Sequence, residues 1–191
     1  MSVENGDELE LELFDSKLLQ EIDFAKSPVS FPNGISITNP GESLVMRSLK
    51  ISDFDKGYIQ LLSQLTDTSN TTKEMFLERF HAMKNCKDTY YATVIEDTST
   101  NQIIAGATLE IEQKFIRQCA IRGRIEEVVV LEEYRGKQLG KLLLSTLTLL
   151  SQKLGCYKLS LECAEDNIPF YQKFGFKPHT ECYMVLRFRP K

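Results

Sequence analysis

Apolar positions change period several times along this chain, and each change predicts an element. Ser43 to Leu49 alternates as a first strand. Ser52 then opens a helix, with Phe54, Tyr58, Leu61, Leu62 and Leu65 recurring at helical spacing. Thr71 and Glu74 form a capping-box pattern ahead of Phe76, Leu77, Phe80 and Met83, which predicts a second helix to about Asn85. Tyr90 to Glu96 and Ile103 to Ile111 are strand-like runs separated by the polar cluster Asp97 to Asn101, an antiparallel hairpin. Arg124 to Leu131 carries the β-branched residues Ile125, Val128, Val129 and Val130, dense enough for a central strand. After it, Leu142 to Leu154 reads as a helix closed by Gly155, and Tyr157 to Cys163 as a strand. Asn167 to Phe174 reads as a short helix with Gly175 past its end, and Cys182 to Phe188 as a last strand. No internal repeat or low-complexity tract interrupts the series.

Three of the six prolines, Pro28, Pro32 and Pro40, fall in the first forty residues, and the next is Pro169, so the pattern places a compact domain over residues 41–191. Residues 1–40 form an acidic leader with eight acids and two bases. Within it Glu8 to Leu13 alternates at strand period while Leu13 to Phe24 is spaced more like a helix, so its structure is left open. A tethered or disordered leader is the expectation, with docking against a partner subunit as the alternative.

Composition narrows the class. The 191 residues are 42% hydrophobic and 26% charged, an ordinary globular balance that needs neither disulfides nor a structural metal. The longest apolar run, Leu142 to Leu150, falls far short of the about 20 residues that cross a bilayer. The chain starts acidic where a secretory signal would be basic, and a cytoplasmic location is expected. Cys86, Cys119, Cys156, Cys163 and Cys182 contain no CxxC pair and read as structural core thiols. His81 and His179 have no metal-ligand spacing, so no metal is expected. Outside the leader stand 19 acids and 21 bases, a gently basic body that suits an anionic small molecule and lacks the basic stripe of a nucleic-acid binder.

The chemistry gathers after the β-branched strand. Arg135, Gly136, Lys137, Gln138, Leu139, Gly140 and Lys141 form a basic, glycine-containing loop at a helix start, where backbone N–H groups and the helix dipole favour phosphate. The P-loop pattern GxxxxGK[ST] is absent, since Gly136 is four residues before Gly140 and Leu142 follows Lys141.

RGKQLGK after such a strand resembles the coenzyme A pyrophosphate loop of the GNAT family of N-acetyltransferases, Q/R-x-x-G-x-G/A, with Gln138 where the middle glycine usually stands. NIPFYQKFGF, Asn167 to Phe176, is similar to that family's later motif. LEIEQKFI, GRIEEVVV and GCYKLSLEC resemble one branch of it, the eukaryotic glucosamine 6-phosphate N-acetyltransferases, as does LFDSKLLQEIDF in the leader. The resemblance implies an α+β GNAT fold, a mostly antiparallel twisted sheet flanked by helices, splayed to admit acetyl-CoA. It implies acetyl transfer to the amine of glucosamine 6-phosphate, on the route to UDP-N-acetylglucosamine, by a homodimer whose last strand and residues 157–162 reach toward the partner.

Carried over residue by residue, the resemblance gives coenzyme binding to Val128, Val129 and Val130, the loop Arg135 to Lys141, Asn167 and Tyr171. Tyr171 becomes the proton donor to the leaving thiolate, and Glu127 and Glu162 the catalytic carboxylates. The sugar phosphate site comprises Thr66, Lys114, Phe115, Ile116, Arg117, Glu126, Glu127, Val128, Tyr157, Lys158, Glu162 and Arg187. Relatives often read Glu-Asp where this chain has Glu126-Glu127, which lengthens the second carboxylate by one methylene. Two other readings stay open: a peptide N-acetyltransferase of the same fold, and a coenzyme-binding scaffold without catalysis.

Overall fold

The computed structural model describes residues 6–188, so the first five residues of the leader and residues 189–191 lie outside it. Two short helices, α1 (Gly6–Leu9) and α2 (Lys17–Gln20), precede β1 (Leu44–Ser48). Next come α3 (Tyr58–Leu62), α4 (Lys73–Asn85), β2 (Tyr90–Asp97) and β3 (Gln102–Gln113). A one-turn element α5 (Ile116–Cys119) leads to β4 (Ile121–Val130), followed by α6 (Leu139–Lys153), β5 (Cys156–Leu161) and α7 (Ile168–Gln172). The five strands form one sheet in sequence order, antiparallel from β1 to β4, with β5 parallel to β4. This is the expected α+β architecture.

The core takes side chains from both faces of the sheet. Val94, Ile95, Ile104, Ala105, Leu109 and Ile125 are sealed within the sheet, and Leu142, Leu143, Leu144, Leu147 and Leu150 of α6 are buried against it. Each such side chain contributes roughly 1.5–3 kcal/mol of burial. Gly123 is fixed by close approach: a Cβ there would stand 2.8 Å from Leu159 Cδ1 and 3.0 Å from Leu109 Cδ1.

Three helix boundaries differ from the pattern. The single helix expected from Ser52 is instead a 3₁₀ turn, Ile51–Phe54, and then α3, because Gly57 between them takes a left-handed φ of 85°. Thr72 rather than Thr71 caps α4, its hydroxyl accepting from the Met75 N–H at 3.3 Å. Helix α6 begins at Leu139, so Gly140 and Lys141 belong to its first turn rather than to the loop.

The leader is not a loose tether. Leu13, Phe14, Leu19 and Ile37 are buried in the main core, and Phe14 packs on Tyr91 with ring centroids 5.2 Å apart. The strand-like alternation at Glu8 to Leu13 is used as a bridge, Glu12 opposite Lys50, with Leu13 N–H donating to Leu49 O at 2.8 Å. The hydroxyls of Ser48 and Ser16 fasten it further, accepting from Phe14 N–H and Ser48 N–H at 3.0 Å each. Glu10 and Glu21 lie outward, where they meet Lys50 at 2.6 Å and Lys153 at 3.0 Å.

Two further expectations fail. Residues 182–188 form no strand, because neither edge of this sheet pairs with them. The cysteines are not core residues: Cys86, Cys119, Cys163 and Cys182 are exposed and Cys156 is half-buried, the interior being filled by leucine, isoleucine, valine and aromatic side chains.

Candidate active site

Strand β4 makes the opening. Its pairing with β5 runs from Ile121 opposite Cys156 to Ile125 opposite Leu161 and stops there, while β4 continues to Val130. Over Glu126 to Val130 it has no ladder partner on the β5 side, so alternate backbone groups face the splay. On its other side a bulge places two β4 residues, Glu127 and Val128, against the single Ala107 of β3. Glu127 pays for the bulge with a left-handed φ of 56°. A strand unpaired and bulged in this way leaves backbone N–H groups able to meet a carbonyl entering the gap.

The loop beyond β4 turns through left-handed Gly136 and Gln138, with φ of 80° and 64°, into α6. The first N–H groups of that helix, at Leu139, Gly140 and Lys141, lack intrahelical acceptors and face the loop, as a diphosphate requires. The basic side chains around them rest on protein partners. Arg135 donates to Gln64 Oε1 at 3.0 Å, and Lys137 stands over the Tyr134 ring. Lys141 donates to Ser30 O at 2.6 Å and lies over Phe31, so the leader reaches this end of the site.

A cavity of 1390 Å³ runs beside β5 and is lined by Arg124, Lys158, Glu162, Tyr171 and Arg187 among others. Tyr171 sits half-buried between Phe170 and Phe176, at 5.1 and 6.2 Å between ring centroids. Burial, with the Cys163 thiol close by, pushes its hydroxyl above the ordinary tyrosine pKa. Asn167 ends the 3₁₀ turn that leads into α7 and lies exposed outside the cavity lining.

The three carboxylates differ in their company. Arg124 donates to both Glu126 and Glu162, joining β4 to the end of β5. Glu127 meets no cation among the described residues; the Thr108 hydroxyl donates to its Oε2 at 3.3 Å. Glu127 is exposed as a residue, yet enough protein surrounds the carboxyl to raise its pKa, and Glu110 and Glu126 add to that against the opposing Thr108 bond.

The remaining candidates are spread. Arg117 and Gln118 of α5 are left-handed, and the Arg117 guanidinium stacks over Tyr157 at 5.1 Å. Phe115 and Ile116 beside it are exposed, as is Thr66 beyond α3. Lys114, just past β3, pairs with Glu112 of that strand and is not among the residues lining the cavity. Arg124, Thr108 and Tyr58 were missed. For Arg124 a signal existed, since residues two apart on a strand share a face with Glu126.

Comparison with known proteins agrees with this geometry. The acetyltransferase (GNAT) family matches residues 57–176. A Drosophila melanogaster relative named a probable glucosamine 6-phosphate N-acetyltransferase is 52% identical over 92% of this chain and 81% of its own. A Dictyostelium discoideum glucosamine 6-phosphate N-acetyltransferase 1 is 46% identical over 74% of this chain and 88% of its own. The crystal structure of glucosamine-6-phosphate N-acetyltransferase from Arabidopsis thaliana superposes with a TM-score of 0.73 at 40% identity, covering 76% of this chain and 99% of that one. With its splayed fourth strand, its loop and its aromatic turn at Tyr171, this chain belongs to the GNAT family of acetyltransferases.

Proposed function

We propose that the protein transfers the acetyl group of acetyl-CoA to the amine of D-glucosamine 6-phosphate, giving N-acetylglucosamine 6-phosphate and CoA, in the cytoplasm and on the route to UDP-N-acetylglucosamine. The observation that carries this reading is that relatives 46% and 52% identical, across the span that holds the groove, bear that activity in their names.

The residues divide the work. The neutral amine attacks the thioester carbonyl carbon, a C–N bond forms, and backbone N–H groups of Val128 to Val130 hold the developing oxyanion. The C–S bond then breaks, and Tyr171 gives its proton to the leaving thiolate and recovers one from solvent. The amine's surplus proton goes to Glu127, the one carboxylate of the three that is free of an ion pair. Glu126 and Glu162, tied by Arg124, accept hydrogen bonds from sugar hydroxyls. Arg117, Lys158 and Arg187 supply the positive charge for the sugar phosphate.

The active form in this reading is a homodimer. Met184 is 89% exposed, Leu186 77% and Phe188 82%, an apolar segment that a lone subunit leaves in water. Strand β5 is a free sheet edge beside it, ready to pair with a segment from a partner.

The test is thiol release from acetyl-CoA by the full chain with glucosamine 6-phosphate, free glucosamine or peptide amines. Release confined to the phosphorylated sugar is the expected result. Release with peptides alone, or none with any acceptor, would overturn the assignment. The same preparation is expected to sediment as a dimer, and a monomer fully active in the assay would refute the assembly.

A further inference from the structure

Beneath the groove lies a polar pair that the reaction above leaves unused. Tyr58 opens α3, is 7% exposed, and packs edge-on against Phe76. Its ring also lies near Gly106 of β3, where an added Cβ would stand 3.8 Å from Tyr58 Cε2, an ordinary contact distance. The buried Tyr58 hydroxyl lies beside that of Thr108, itself 3% exposed. Thr108 has one proton and directs it at the Glu127 carboxylate, which leaves the Thr108 oxygen to accept from Tyr58. The order this allows is Tyr58 to Thr108 to Glu127.

Glu127 needs such a fixture. Its backbone sits in a left-handed bulge, it meets no cation among the described residues, and its side chain carries three rotatable bonds. An exposed glutamate left to swing would populate many positions, and small misplacements of a reacting group cost much of the rate. We propose that Tyr58 and Thr108 are positioning residues, a two-hydroxyl relay from the core that sets where the Glu127 carboxylate meets the acceptor amine. The role rests on the acetyltransferase reading of the site.

The charged and titratable groups facing Glu127 are few. Glu110 faces it from β3, Glu126 from its own strand with Arg124 attached, and Tyr58 from α3 with Asp53 behind it. Strand β5 brings Glu162, which Arg124 holds, and α6 turns leucine, serine and threonine side chains onto the sheet. Among these only the Thr108 bond favours the ionised carboxylate directly. Removing it raises the Glu127 pKa further, so activity that needs the ionised base falls away at a higher pH on the acid side.

The experiment compares wild type with Thr108→Val, Thr108→Ser, Tyr58→Phe and the Thr108→Val/Tyr58→Phe pair, measuring kcat and KM with glucosamine 6-phosphate across pH. Thr108→Val is expected to lower kcat about 10-fold or more, with its acid limb moved upward and the KM for acetyl-CoA unchanged. Thr108→Ser should restore the wild-type profile. Tyr58→Phe should move the limb the same way by less, and add nothing in the Thr108→Val background. An unmoved acid limb, or additive effects in the pair, would overturn the relay. A second readout does not need turnover: ¹³C titration of the glutamate carboxyls in the full chain, with Glu127 assigned through Glu127→Gln. If wild type proves inactive toward the sugar, the functional reading fails, yet the Glu127 curve must still move to higher pH in Thr108→Val. A curve that stays put refutes the relay even if the enzyme is active.

Discussion

Tyr171→Phe is expected to reduce kcat about 100-fold or more while leaving acetyl-CoA binding intact. The substitution removes one oxygen and keeps the ring that packs between Phe170 and Phe176. A cysteine thiol has a pKa of about 8.5 in water, so near neutral pH a departing alkyl thiolate takes up a proton, and a donor that meets it as the C–S bond opens speeds its departure. The Tyr171 hydroxyl is suited to that, because burial and the nearby Cys163 hold it above the ordinary tyrosine value of 10.0 and keep it protonated. The sign follows directly. A required acid is lost as pH rises through its pKa, and an upward shift delays that loss, so kcat should stay level on the alkaline side beyond the point where an ordinary tyrosine ionises. Stopped-flow detection of released thiol gives both results. A kcat within a few-fold of wild type in a variant that still binds acetyl-CoA would remove Tyr171 from the reaction.

How far the site was legible depends on the kind of feature. Runs of apolar and β-branched residues bounded by polar turn formers located the first four strands, because a sheet covered on both faces seals neighbouring side chains such as Val94 and Ile95 alike. The loop before α6 was legible because phosphate binding needs glycine, bases and a helix start in a fixed order. The bulge at Glu127 was not, since a left-handed glutamate inside a β-branched run leaves no compositional mark. The Thr108 and Tyr58 hydroxyls were hidden for a related reason: each sits where an apolar residue would satisfy the pattern equally well, and only the register of β3 on β4 brings them to Glu127. The leader misled through its charge, because eight acids obscured the few buried side chains, Leu13, Phe14, Leu19 and Ile37, that decide its position. The last segment misled the other way. Its apolar alternation reads as a strand, and within one subunit nothing pairs with it.

Arg47→Met is expected to destabilise the fold by about 3–5 kcal/mol, more than a surface ion pair could account for. The guanidinium is buried where β1 meets the turn before α3, and it binds Asp53 through two bonds of 2.8 Å each. It also donates to Glu96 at 2.6 Å, and Lys56 reaches the other oxygen of Glu96 at 2.6 Å. Burial by itself works against the charge on Arg47, and the bonds to Asp53 and Glu96 outweigh it, raising the pKa. Without Arg47, Glu96 keeps Lys56, but the fully buried Asp53 retains only the Lys50 backbone N–H at 2.7 Å. The loss should therefore be largely recovered in Arg47→Met with Asp53→Asn, which removes the stranded charge and keeps an acceptor for that N–H. Urea unfolding measures both, and equal destabilisation of the single and double variants would show that packing rather than the orphaned carboxylate carries the effect. Wild-type stability has a matching pH dependence. Glu96 is held below its ordinary value of 4.5, since Lys56 and Arg47 overcome the opposing effect of burial. Its contribution is complete above that value and is lost as pH falls through the lower folded-state value. Because Asp53 anchors the turn from which α3 departs, the cluster also holds Tyr58 in place, and Arg47→Met at temperatures where it remains folded should shift the acid limb of kcat as Tyr58→Phe does.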